Sequence, residues 1–397
     1  MSDRFLVSCK HIESIMDFVV GTFRHPLLYT LTFSPPSSLD IKSSSDAAGG
    51  HSWLALSPDH KFLYTTCWTT PPQVAAYDLS SGEPSLINTA PVATLSGYVT
   101  VTPDNRYLIS VGGPGGEVFA IESDGSIGRC VHILQFRKEG DENQGQRTGV
   151  AHGNFGGLRH GAHSVDISPD GKTAYVADIG ANCIWSFNVP KSPISGAEEG
   201  AETKVLAPMH KHISPRATDG PRHAFPHPNG KVLYCLQEHS SMVDAFSLKA
   251  DGSIDKHFSG VKVIPDDKDP KNFWADEVRL SKTSSPPRYL YASTRGLEEG
   301  TKGYVAVFRL DEDGHIEENV VNMYETETSG GLANAIEPAP QGGEGVEYLA
   351  LTDSEQGFVS ILAFSETEKK IKQVAKVNLS KEKGKEEVIG AATAVWL

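Results

Sequence analysis

Short apolar stretches, alternating with polar positions and cut by tight polar turns, run along this chain from Phe18 to Leu397. The clearest copy is His163–Asp178, HSVDISPDGKTAYVAD. Val165 and Ile167 alternate with polar neighbours, Ser-Pro-Asp-Gly follows, and Thr173–Ala177 returns as an apolar segment with a tyrosine at its centre. Alternation on both sides of a turn predicts a β-hairpin. Pro169 and Asp170 suit the early positions of that turn, and Gly171 accepts a positive φ at little cost.

The same wording recurs as LALSPDHKFLYTTC from Leu54, VTVTPDNRYLISVG from Val99 and HAFPHPNGKVLYCLQ from His223. Weaker copies lie at Glu277–Ser293, where two prolines replace the turn core, and at Asn334–Thr352. An interval of roughly 45 to 65 residues signals a repeat architecture. A third apolar segment accompanies each hairpin: Val74–Leu79, Glu117–Glu122, Cys183–Val189, Met242–Leu248, Tyr304–Leu310 and Phe358–Phe364, with Tyr29–Phe33 ahead of the first. Most are followed by a turn and a polar-apolar strand, as in DGSIGRCVHIL at Asp124, DGSIDKHFSGVKVI at Asp251 and DGHIEENVVNMY at Asp313. No amphipathic helix of useful length interrupts them.

Seven units of four antiparallel strands predict an all-β fold, a seven-bladed β-propeller occupying residues 1–397 as one domain; closing the ring hides the sheet edges. Asp17–Thr22 has no hairpin partner before it, and Ala391–Leu397 reads as an orphan inner strand. The two termini are therefore expected to share one blade. Three stretches break the rhythm: the Gly-rich, basic Phe136–Gly161, the polar Pro190–Glu202 and the charged Lys381–Glu387. The first has the length of a functional lid, while the other two read as solvated loops.

Hydrophobic residues make up 39% of the chain, enough for a large core, and no apolar run reaches membrane-spanning length. The opening MSDRFLVSCKHIESIMDF lacks the apolar core of a signal peptide. The five cysteines are dispersed, as expected of reduced thiols in a cytoplasmic protein. A formal charge of −14 argues against nucleic acid as a partner. An anionic ligand would need a locally positive site. Association of copies of the chain with one another is left open.

In such a blade the residues that open the first strand and those that close the second meet at one face of the ring. His163 opens the first strand of its blade, and Arg222 holds the same place in the next, six positions before Pro228 as His163 is before Pro169. Glu238 closes the second strand of that blade, and Arg295 does so one blade further on. Surface Arg and Glu are common and a lone His is usually structural. Convergence of all four on one rim marks a site. HExxH and paired Cys–His spacings are lacking, so neither a metal nor an organic cofactor is expected.

The segments GAHSVDISPDGKTAYVADIGANCIWSF, PRHAFPHPNGKVLYCLQE, YLYASTRG…GYVAVFRL and TSGGLANAIEPAP…ALTDSEQGFVSI carry a resemblance. They are similar to the lactonase-type seven-bladed propellers, and among these to the fungal 3-carboxy-cis,cis-muconate lactonizing enzymes of aromatic catabolism. The similarity extends from FVVGTF at Phe18 to the final AVWL. SPDGK alone is weak, whereas TSGG…NA…TD…QG and PRxxxxHPxGxxLY are more specific. The resemblance implies that His163, Arg222, Glu238 and Arg295 match the family's active-site residues, that no metal is needed, and that the substrate is a small di- or tricarboxylate. Two positions depart from the pattern, which has His where Leu332 stands and Arg where Trp274 stands. That change weakens the hold on a third carboxylate, which the loop bearing His152, Arg159 and His160 is placed to offset.

Lactonization adds a substrate carboxylate oxygen across the substrate's own double bond, so the protein needs no nucleophile of its own. Arg222 and Arg295 suit carboxylate binding through paired hydrogen bonds and the stabilisation of developing charge. Glu238 suits proton donation to carbon if burial raises its carboxyl, and His163 if a neighbouring anion favours imidazolium. Two other readings stand beside this one. One is lactone hydrolysis of the 6-phosphogluconolactonase type, with the same residues activating water and holding phosphate. The other is a non-catalytic propeller that binds a protein partner at its rim, for which the expected cluster of exposed aromatics is not evident.

Overall fold

In the computed structural model of the chain, the residues described are 14–136, 161–189, 203–298, 300–380 and 387–397. They form seven sheets. We number the blades by their innermost strands: I Ala391–Trp396, II Leu54–Leu56, III Tyr98–Val101, IV Ala162–Ile167, V Pro221–Pro226, VI Phe273–Leu280 and VII Ile336–Pro338. Each innermost strand touches the next, and VII touches I, so the ring is closed. Among the described residues the helical element with defined caps is one 3-10 turn, Pro270–Asn272.

Local chemistry explains the repeated hairpin. Ser168 accepts at Oγ from the N–H of Thr173 (2.9 Å) and donates to Asp170 Oδ1 (2.7 Å), while its own N–H closes the turn on the carbonyl of Thr173. Gly171 and Gly230 take φ of 71° and 68°; His60 and Asn105 hold the same place in blades II and III at 58° and 56°. The left-handed region is open to such residues at modest cost. The tyrosine at the centre of the hairpin reaches out of its own blade. Tyr64 donates to the carbonyl of Gly125 at 2.9 Å and Tyr175 to that of Gly252 at 2.8 Å. Both carbonyls belong to the Asp-Gly turn of the following blade, so the two recurrent motifs fasten blade to blade.

The termini share blade I as expected. Ala391–Trp396 pairs antiparallel with Met16–Thr22, with Trp396 opposite Phe18 and Ala394 opposite Val20. The Trp396 ring lies 4.5 Å from that of Phe18, and its Nε1 donates to the carbonyl of Glu337 in blade VII at 3.0 Å. Apolar side chains then fill the wedges between blades, for example Phe33, Tyr348 and Ile361 between I and VII. Blade III departs from the four-strand expectation. Lys204–Leu206 crosses from the blade IV region and adds a fifth strand, parallel to Ile127–Gln135, with Val205 beside Ile133. The outer strand of blade IV is then the short His210–Ile213. The irregular stretches Phe136–Gly161 apart from its two end residues, Lys381–Glu387 apart from Glu387, and all of Pro190–Glu202 lie outside the described residues. No described helix is long and apolar enough to cross a membrane.

Candidate active site

Strand pairing in three consecutive blades skips one residue of the innermost strand. The skipped residue is His163 in blade IV, Arg222 in blade V and Asp276 in blade VI. A bulge of this kind bends the strand and re-aims the extra side chain. All three line one cavity at the mouth of the channel, ≈ 660 Å³ including its opening to solvent. The corresponding positions elsewhere, five residues before the N–H that closes each hairpin turn, are Ser52, Gly97, Asn334 and Ala392. Seven equivalent seats thus circle the channel, and charge or imidazole fills three adjacent ones.

Glu238 and Arg295 complete the polar side: Glu238 directly follows Gln237, the partner of Pro221, and Arg295 directly follows Thr294, the partner of Ala275. Their counterparts Phe23, Trp68 and Ile179, with Trp53, make an apolar wall. The four residues expected from sequence, His163, Arg222, Glu238 and Arg295, therefore do line one cavity. His152, Arg159 and His160 lie outside the described residues.

Two guanidinium and two carboxylate groups interlock. Arg222 reaches Glu238 Oε2 at 2.5 Å through Nη1 and Asp276 Oδ1 at 3.0 Å through Nη2, and donates from Nε to the backbone carbonyl of Asp276 at 2.8 Å. Arg295 lies 3.8 Å from Glu238 Oε2 and 3.6 Å from Asp276 Oδ1, and donates to the carbonyl of Leu332. Its guanidinium also sits 5.0 Å over the Trp274 ring. Asp276 is fixed in turn by the N–H of Asn334 on Oδ2, at 2.8 Å. Trp274 and Leu332, where this chain departs from its expected pattern, thus both abut Arg295.

Burial sets the protonation states. It would raise the Glu238 carboxyl, but Arg222, the nearby His239 and Arg295 outweigh it and hold the group well below the usual range. The condition for proton donation by Glu238 is not met; the group is an ionised anchor for the arginines. Burial holds His163 well below its ordinary value, and Arg222 and His223 push the same way. Arg295 is drawn down by burial and by Arg222. His163 is therefore a neutral imidazole, and its Nδ1 has no partner among the described residues.

Three site residues escaped the sequence reading. Asp276 occupies the same seat as His163 and Arg222, but the proline that marks that offset is replaced by Lys282. His223 and Glu277 stand one place further along their strands, with His223 Nδ1 2.7 Å from Glu277 Oε1. Two charged neighbours in Trp-Ala-Asp-Glu-Val, inside an apolar strand, were the signal available.

The chain is similar to known proteins along most of its length. Residues 17–376 match the family described as "Lactonase, 7-bladed beta-propeller". Muconate cycloisomerase 1 of Cutaneotrichosporon cutaneum is 42% identical over 390 residues, covering 96% of this chain and 98% of that one. The carboxy-cis,cis-muconate cyclase of Neurospora crassa is 27% identical, covering 62% of this chain and 59% of its own. A 6-phosphogluconolactonase of Cronobacter sakazakii is 25% identical, covering 73% and 75%. A match across nearly every blade, on a closed ring of seven, gives the chain its kinship: it belongs to the lactonase family of seven-bladed β-propellers.

Proposed function

We propose that this protein is an intramolecular lyase that lactonizes cis,cis-muconate or its 3-carboxy derivative in aromatic catabolism. The observation that carries the reading is the seating of two arginines and a neutral His163, whose Nδ1 has no partner among the described residues, on one side of a cavity whose other side is apolar. Similarity to proteins named muconate cycloisomerase and carboxy-cis,cis-muconate cyclase supports it.

The chemistry asks for few groups. One substrate carboxylate attacks the double bond, a C–O bond forms, and the π pair moves onto the neighbouring carbon, delocalised into the second carboxylate. Arg222 and Arg295, held by Glu238 and Asp276, stabilise that growing charge without having to reorganise. His163 delivers the proton to carbon, so the ionised substrate leaves with one added proton, which solvent returns to the enzyme. Phe23, Trp53 and Trp68 keep water from the intermediate and pack against the diene.

A panel of cis,cis-muconate, 3-carboxymuconate and 6-phosphogluconolactone, followed by ultraviolet absorbance and base uptake with EDTA present, tests the reading. Loss of diene absorbance with either muconate supports it. Hydrolysis of the phosphogluconolactone alone would move the protein to the hydrolase reading, which the Cronobacter relative represents.

A further inference from the structure

We infer that Glu277, His223 and His163 form a proton relay ending at the substrate, with His163 the group that meets it and His223 and Glu277 positioning residues behind it. The inference rests on the lactonizing reading of the cavity and supplies what that reading lacks. A neutral imidazole that gives up its only N–H becomes imidazolate, which costs far too much at neutral pH. His163 can donate only if it gains a proton on its other nitrogen in the same event.

The neighbouring residues are placed to provide one. The His163 and His223 rings lie side by side in consecutive blades, with centroids 5.4 Å apart and planes at 43°. His163 Nδ1 and His223 Nε2 are both buried, and neither has a hydrogen-bond partner among the described residues. An N–H···N bond of about 3 Å between two imidazoles sets their centroids roughly 5 Å apart, so a small rotation satisfies both atoms at once. Leaving a buried polar atom unpaired is costly, which favours that rotation. The other nitrogen of His223, Nδ1, meets Glu277 Oε1 at 2.7 Å, and both residues are only 1% exposed. The channel thus holds an ordered line of three groups: a carboxyl, an imidazole and a second imidazole that lines the cavity.

Their protonation states fit the direction of transfer. Burial pushes Glu277 up to about 8, against the pull of Arg279 and with Asp276 and Glu337 adding to the rise. Tyr98 and Asp166 across the channel, and Arg222 beside His223, also face it. Burial holds His223 well below its ordinary value, and Arg222 and Arg279 reinforce the effect while Asp276 and Glu238 oppose it. Around His163 stand Arg222, His223, Glu238 and Arg295. The resting line is therefore a protonated carboxyl followed by two neutral rings.

The step balances. As the lactone C–O bond forms, the carbanionic carbon takes the proton from His163 Nε2. His163 Nδ1 takes the proton of His223 Nε2, and His223 Nδ1 takes that of Glu277. Both imidazoles end neutral, with their tautomers exchanged. Only Glu277 changes charge, and Arg279 Nη1 lies 2.7 Å from its Oε1 to receive the carboxylate. Solvent restores the proton after product leaves.

The test uses the full-length protein, ¹⁵N-labelled at histidine and ¹³C-labelled at the glutamate carboxyl, as wild type, Glu277→Gln and His223→Gln. Ligand-free spectra of wild type should show His163 and His223 as Nε2–H tautomers and a buried carboxyl titrating near 8, absent in Glu277→Gln. With muconate, Glu277→Gln should lose the high-pH limb and about 10- to 100-fold in turnover, with KM within a few-fold. His223→Gln should match it, which covers the case in which the first variant fails to fold. A folded variant that keeps the wild-type limb, or a wild-type spectrum with His163 protonated on Nδ1, overturns the relay. If wild type leaves muconate untouched, the lactonizing reading fails, and the ligand-free spectra still decide whether the three groups are coupled.

Discussion

Arg222 and Asp276 are joined twice: Nη2 to the carboxylate at 3.0 Å, and Nε to the backbone carbonyl of the same residue at 2.8 Å. An arginine of blade V is thereby keyed to the skipped residue of blade VI. Its direction is set by a backbone rather than by a mobile side chain.

That keying makes geometry, not charge alone, the contribution of Arg222. Arg222→Lys keeps the charge but cannot span Glu238, the Asp276 carboxylate and the Asp276 carbonyl together. We expect kcat/KM on muconate to fall by about 2–4 kcal/mol of transition-state stabilisation, the scale of losing one preorganised donor. A lysine variant with wild-type kcat/KM would show that bulk positive charge suffices.

His163 and Glu238 should separate in their pH profiles. His163→Asn removes the donor, so turnover should drop by roughly 10²–10⁴-fold with little change in KM. Glu238 is already ionised at the pH of assay. Glu238→Gln should therefore lower turnover by loosening both arginines while leaving the limbs of the rate–pH profile where they were. Steady-state profiles from pH 5 to 9 decide the matter, and a lost limb in Glu238→Gln would reverse the assignment.

Substrate choice should depend on Trp274 and Leu332. Both abut Arg295, one through its ring and one through its backbone carbonyl. Neither side chain carries a charge to set against a third carboxylate. The native protein should handle muconate and 3-carboxymuconate with comparable kcat/KM, and the double change Trp274→Arg with Leu332→His should shift preference toward the tricarboxylate by about tenfold or more, as expected for a new charge-assisted contact. A strong native preference for the tricarboxylate would remove the premise.

Deeper in the channel Asp166 should make stability fall as pH rises. Burial pushes its carboxyl up to about 7 from the usual 3.8, with Arg279 and a hydrogen bond from Tyr98 (3.0 Å) pulling down and Glu277 pushing up. The folded chain binds this proton more tightly than the unfolded one, so the favourable contribution is complete below about pH 4 and is lost as pH climbs through 7. Asp166→Asn should match wild type in Tm near pH 4. It should exceed wild type at pH 8, by up to about 4 kcal/mol from some three pKa units at 1.36 kcal/mol each. Parallel Tm curves across that range would refute the assignment.

The ring was legible from sequence because each blade repeats its own hydrogen-bond chemistry. Ser168 with Asp170, and Tyr175 with Gly252, are contacts that the motif residues themselves make. Closure by Ala391–Trp396 was legible for the complementary reason that an inner strand without its hairpin needs a partner. The fifth strand of blade III was not, because Lys204–Leu206 pairs parallel with a distant segment and carries no turn signal of its own. Within the site, His163 and Arg222 could be found by their offset from a proline. Asp276 could not, since Lys282 removes the marker. The His223–Glu277 pair joins residues 54 apart. Only the assembled ring shows that two strands of different blades face each other there.

The seven seats around the channel have a bearing on how such an enzyme could change. Ser52, Gly97, His163, Arg222, Asp276, Asn334 and Ala392 stand on the same backbone frame. Each behaves as one letter in a short word, and the scaffold reads any spelling. Gly97, Ser52 and Ala392 are blanks opposite the arginine side. A library confined to those three letters would sample new anions, new polarity and new handedness of attack while leaving every blade-to-blade fastening in place. Divergence of chemistry on this frame is a matter of vocabulary rather than of refolding.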